Sequence, residues 1–150
     1  MKDSKISLCS KIKALLERQK LGVLATQGGL YPHTSLVAFT FTKDLRFIIF
    51  STMSHTRKYR NILKNPHVSV LIDSRRNYIR DLKEAVALTV TGGAVLTDDK
   101  KKVRYRRLYL KRFPHLKRFI DKPDTAIIII EVTGYIFVQR FQEVLELRMK

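Results

Sequence analysis

Cysteine is almost missing from this chain: Cys9 stands alone among 150 residues, so no disulfide framework and no thiolate metal site can form within one chain. A reducing, cytoplasmic setting is expected. Acidic residues are also scarce, 13 Asp and Glu against 30 Lys and Arg, and they sit mainly where helices start and strands end. That placement supports no Ser-His-Asp constellation and gives hydrolase chemistry little footing. The histidines His33, His55, His67 and His115 do not fall at metal-ligand spacing, so no metal site is expected. No run approaches the ~18 apolar residues of a membrane span, and the opening Met1, Lys2, Asp3 leads into no signal-peptide core. The expectation is a protein neither exported nor membrane-spanning.

What is present is an ordinary globular composition, 45% apolar and 29% charged, at a length that fits one domain over residues 1–150. The formal charge of +17 implies a strongly positive surface and anionic partners. Nucleic acid, acidic lipid and phosphorylated small molecules all fit, and charge alone does not rank them.

Leu8, Cys9, Ile12, Leu15 and Leu16 recur at helical spacing within residues 4–20, with Asp3 or Ser4 available as cap. Strands are predicted over 21–26, 33–42, 46–51 and 68–73, with a short helix over 56–64 closed by Asn65 and Pro66. Residues 74–83 read as a basic loop. A strand over 85–96 passes through Gly92 and Gly93, where a bulge or bend is expected. Thr97, Asp98 and Asp99 open a helix that runs to Arg112, and Pro114 ends it and starts another through Ile120. Residues 126–138 and 141–148 form a hairpin. Six or seven strands with few helices predict a mainly β fold, a small antiparallel barrel with three or four peripheral helices.

The segment Ser51, Thr52, Met53, Ser54, His55, Thr56, Arg57, Lys58 crowds hydroxyls and cations where a strand gives way to a helix. Free N–H groups at a helix start, the Thr56 hydroxyl and the Arg57 and Lys58 cations suit a phosphate. An N-capped helix with solvated charges fits the same residues. Together with Pro32 to Phe39, Phe50 to Thr52, Thr56 to Ile62, Asn65 to Val70 and Val90 to Ala94, this segment resembles the FMN-binding, pyridoxamine 5'-phosphate oxidase-like split-barrel flavoproteins. The likeness covers roughly residues 10–148.

The resemblance implies a six-stranded Greek-key split barrel, a homodimer, and FMN at the interface. It implies a phosphate held by Thr56 and Lys58 with Arg57, a ring carried by Thr34, Ser35, Leu36 and Val37, and Phe50, Ser51 and Thr52 bordering that ring. A flavin-dependent oxidoreductase follows, with a nicotinamide as one electron donor to consider. Deazaflavin and haem are alternative cofactors within the same family. No tryptophan and no C-terminal Arg and His signature for the vitamin are present, so oxidation of pyridoxamine 5'-phosphate itself is not expected.

Ten of the nineteen residues in 100–118 are Lys or Arg, interleaved with Tyr105, Leu108, Tyr109, Phe113 and Leu116. Such a run reads either as a nucleic-acid or acidic-surface patch with stacking aromatics, or as an amphipathic helix whose aromatics are core. The second reading is favoured. Arg75, Arg76 and Arg80 read as loop charge, though an anionic substrate or cofactor phosphate is within their chemistry. Tyr31, Tyr78, Tyr105, Tyr109 and Tyr135 read as packing rather than proton donors.

Overall fold

Alternating apolar residues in seven segments produce seven strands, all paired antiparallel in a computed structural model that describes residues 2–150, with side chains from Ser4 onward. They are β1 (Leu21–Thr26), β2 (His33–Phe41), β3 (Phe47–Met53), β4 (His67–Asp73), β5 (Ala87–Leu96), β6 (Thr125–Gln139) and β7 (Glu143–Arg148). The sheet runs β3-β2-β1-β4-β5-β6-β7, and β3 also pairs with β6, which closes the first six strands into a barrel. β6 is long enough to do both jobs. Its residues 125–131 pair with β3 and residues 134–139 pair with β7, which lies outside the ring.

Five helices surround the barrel: α1 (Lys2–Arg18), α2 (Arg57–Lys64), α3 (Asp81–Glu84), α4 (Asp99–Arg112) and α5 (Lys117–Ile120), with a 3-10 turn at Pro114–Leu116. The expected three or four become five because residues 74–83, read as a loop, contain the start of α3. One turn of helix carries no periodicity for a sequence to display. α1 begins at Lys2, so Ser4 lies inside it and is not its cap, and the Asp3 side chain lies outside the described residues.

Two cores follow from the alternation of strand side chains. Inside the barrel Leu24, Phe39, Ile48, Phe50, Val70, Leu88, Val90, Ile128 and Ile130 pack together under Leu8, Ile12 and Leu16 of α1. On the outer wall Ile49, Ile127 and Ile129 pack against Tyr105 and Tyr109 of α4 and Phe113 just beyond its end. The run Ile127 to Ile130 is therefore buried throughout, because both faces of β6 are covered there. The aromatics of the basic helix are core, as favoured from sequence.

The expected bulge lies between Thr91 and Gly92, where the β5–β6 register shifts. A Cβ on Gly92 would stand 2.3 Å from the Glu131 carbonyl oxygen, so only glycine lets the two backbones approach there.

Candidate functional site

The two strands expected to carry the ring part company. β2 and β3 pair only from Phe39↔Phe50 to Phe41↔Ile48, whereas β1 pairs with β2 along residues 33–38 and β3 continues along β6 to Met53. A split therefore opens between residues 33–38 of β2 and 51–53 of β3. Phe39 donates its N–H to Lys20 on the β1 side, so by ladder alternation the backbone groups of Thr34 and Leu36 point into the split. Those groups are fixed in direction by the β1–β2 ladder.

Side-chain alternation divides the predicted residues into two sets. Thr34 and Leu36 face outward, Leu36 being 64% exposed, while Val37 and Phe50 point into the barrel core. By the same alternation the backbone groups of Val37 face β1 and those of Phe50 face β6, so neither residue, though expected to carry or border the ring, offers a side chain or a backbone group to the split. Ser35 Oγ, on the barrel-facing side of β2 with Val37, and Ser51 Oγ, on the outer face of β3 with Ile49, are both buried without a hydrogen-bond partner. Unpaired buried hydroxyls are uncommon and costly, and one lies on each of the two strands that flank the split.

Beyond Met53 the chain turns into α2, and the turn is built from hydroxyls. Thr56 caps the helix: its Oγ1 accepts from the Tyr59 N–H at 3.4 Å and donates to the Met53 carbonyl at 2.9 Å. Thr52, 3% exposed, places its hydroxyl 3.0 Å from that of Thr56. The Thr56 proton is thus already engaged. The donors left for an anion are the Arg57 and Lys58 N–H groups, which have no acceptor within the helix, and the two side-chain cations. Arg57 is exposed and Lys58 half-buried. Arg60 donates to the His55 carbonyl at 2.6 Å and Ser54 donates its N–H to Asp124, so the turn is tied on both sides.

Three residues outside the expected cofactor set make long-range contacts here and at the neighbouring end of α1. The Tyr109 hydroxyl donates to the Ala38 carbonyl at 3.1 Å, closing the narrow end of the split from outside. Burial pushes its phenol up, and the neighbouring Ser51 hydroxyl offsets this in part. Asn61 of α2 donates to Thr26 of β1 at 3.1 Å, and a Cβ on Gly28 would meet the Asn61 side chain at 2.6 Å, so glycine lets the turn after β1 close on the helix. Arg112 Nη2 donates to the Leu16, Glu17 and Gln19 carbonyls and so caps the end of α1. None of these contacts had a sequence signal, because each joins residues more than thirty positions apart.

The outer wall on the other side of the barrel is uncovered. Cross-strand register lines up Leu36, Val23, Leu71, Thr89 and Ile136, a mostly apolar row over five strands, with Leu71 and Ile136 each 37% exposed. A groove of about 920 Å³ adjoins it and is bordered by Ala25, Ser69, Thr91, Gly93 and Thr133. None of the sequence-predicted site residues lines that groove.

The pyridoxamine 5'-phosphate oxidase family matches residues 8–139. The chain belongs to this family. Solved structures agree on the fold at low sequence identity. A heme binding protein from Mycobacterium smegmatis superposes with a TM-score of 0.82 at 17% identity, over 93% of this chain and 57% of that one. General Stress Protein 26 from Bacillus anthracis gives 0.73 at 22%, over 95% and 98%. A NimC/NimA family protein from Clostridium acetobutylicum gives 0.72 at 14%, over 97% and 94%. The chain thus spans little more than half of the mycobacterial protein and nearly all of the other two. No match was found among the curated proteins. For this family member no described helix is long and apolar enough to cross a membrane.

Proposed function

We propose that this chain is an FMN-binding flavoprotein and that it works as a homodimer in flavin-dependent oxidation and reduction of a small molecule. The observation that carries the reading is the split between β2 and β3. It offers directed backbone groups at Thr34 and Leu36 and unpaired hydroxyls at Ser35 and Ser51, and it leads toward an α2 start with two free N–H groups and two cations. The donor set fits the group: amides and hydroxyls for a polar ring edge, Arg57 and Lys58 for a phosphate. FMN, when bound, supplies hydride or single-electron transfer.

The protein's own part is to bind and orient. Backbone donors held by the β1–β2 ladder need no further ordering when a ring arrives. Thr52 and Thr56 hold the α2 start in place, and the uncovered row around Leu36 is the surface on which a second copy excludes water from the split. Family membership and the fit of these donors support this reading. Haem is the second reading, favoured by the likeness to the mycobacterial heme binding protein.

The absorption spectrum of the purified protein, before and after reconstitution, separates the two. Flavin bands near one per protomer that bleach with NADH or NADPH are expected; a Soret band would put haem in the site, and no chromophore with either cofactor would overturn both. Removing the Arg57 and Lys58 side chains together should weaken FMN by roughly tenfold to a hundredfold per lost charged hydrogen bond while leaving riboflavin nearly unaffected. Equal loss for both ligands would place the phosphate elsewhere.

A further inference from the structure

The charge of α4 is not absorbed by the flavin reading. Its buried side is Tyr105 and Tyr109, and the side turned away from the barrel carries Lys100, Arg104, Arg107 and Lys111 at steps of four, three and four, all exposed. At helical rise these cations span about 16 Å in one line. Among the described residues none of the four forms an ion pair. The nearby carboxylate of Asp121 is taken by Arg106 at 2.6 Å and Lys117 at 2.8 Å, and Asp98 is spent capping the Lys101 N–H at 2.8 Å. Arg104 lies over the Tyr105 ring at 5.7 Å, a contact that leaves its N–H groups without an acceptor among the described residues, so the stripe is cationic, ordered by its helix and able to meet an anion.

We propose that this stripe is a docking surface for the phosphodiester backbone of a nucleic acid, bound without reading its sequence. A row of fixed positive charges matches a polymer with negative charges at regular intervals. Base stacking is not part of it, since Tyr105, Tyr109 and Phe113 are buried in the outer-wall core. The same burial argues against a bilayer. A basic helix that lies on lipid sinks its apolar face into the acyl region, and here that face is packed against Ile49 and Ile129. The inference stands apart from the flavin reading because no predicted cofactor residue lies on α4.

The test is the affinity for a fluorescent 20-base-pair DNA duplex measured between about 50 and 200 mM salt. If all four cations meet phosphates, binding should fall by roughly a hundredfold across that range, and in the combined variant Arg104→Gln, Arg107→Gln, Lys111→Gln only a few-fold, from a weaker start. A control lacking the same number of charges elsewhere, Arg76→Gln, Arg80→Gln, Lys83→Gln, should keep the wild-type salt dependence. Unchanged melting temperatures establish that both variants are folded. Equal losses in the two variants would mean diffuse net charge and overturn the stripe. Binding to vesicles containing phosphatidylserine without binding to the duplex would overturn it in favour of lipid. Flavin content should be the same in all three proteins, whichever way the duplex experiment falls.

Discussion

Tyr135 and the turn it reaches show how much a single hydroxyl can hold. Leu45 adopts a left-handed backbone, φ 62°, that a branched apolar residue visits only when its surroundings impose it, and its side chain is buried at 2% exposure. The imposing contacts are the Tyr135 hydroxyl on the Leu45 carbonyl at 2.7 Å, and Thr42, which donates to Asp44 at 2.6 Å and accepts from the Phe47 N–H. Burial raises the Tyr135 phenol well above its ordinary value, so it stays a donor at any physiological pH. Tyr135→Phe should cost about 1–3 kcal/mol in denaturant unfolding, the penalty of a buried carbonyl left unpaired. The Thr42 hydroxyl, with the Arg46 N–H, holds the Asp44 carboxyl below its ordinary 3.8. A carboxyl lowered by folding lends stability that is complete above the unfolded value and is lost as pH falls through the folded one. The melting temperature should therefore be unaffected by Asp44 between about pH 5 and 7 and decline below about pH 4. Asp44→Asn should flatten that decline, as followed by circular dichroism.

At the level of elements, the start of α2 and the β5 bulge are the points where one residue governs a whole segment. Thr56→Ala removes both the cap and the nearer partner of the buried Thr52 hydroxyl, leaving it the long contact to the Met53 carbonyl at 3.4 Å. A loss of about 1–2 kcal/mol is expected, with FMN affinity reduced as the α2 start loosens; rescue by Ser but not by Val would identify the hydroxyl as the cause. Gly92→Ala drives a Cβ against the backbone of Glu131, which cannot swing away as a side chain would. Its cost should be about 1–3 kcal/mol, and a melting temperature equal to wild type would show that β6 can shift at the bulge.

For the whole molecule, the two walls of the barrel differ. One is covered by the aromatics of α4 and ends in a cationic stripe; the other presents Leu36, Leu71 and Ile136 to solvent. If the second wall is the dimer surface, Leu71→Lys should shift sedimentation from dimer to monomer and lower flavin retention together, because a split open to water holds a ring less well. A variant that is monomeric yet keeps full flavin would separate the two properties and confine the cofactor to one protomer.

The barrel was readable from the chain because alternation, turn residues and the Gly92 break are local, and strands that short and numerous have few ways to bury their apolar faces. The hydroxyl-capped turn into α2 was readable for the same reason, since Thr52, Thr56, Arg57 and Lys58 lie within seven residues of one another. The sequence also limited the basic run to two readings. Choosing between them took the packing of α4 on β3 and β6, which buries Tyr105 and Tyr109 and turns Lys100, Arg104, Arg107 and Lys111 outward. The split itself depends on where β2 stops pairing with β3, and the Arg112, Asn61 and Tyr109 contacts join segments far apart in the chain. Register and long-range hydrogen bonds are properties of the closed barrel, in which each strand's partners are fixed by all the others, and no window of sequence contains them.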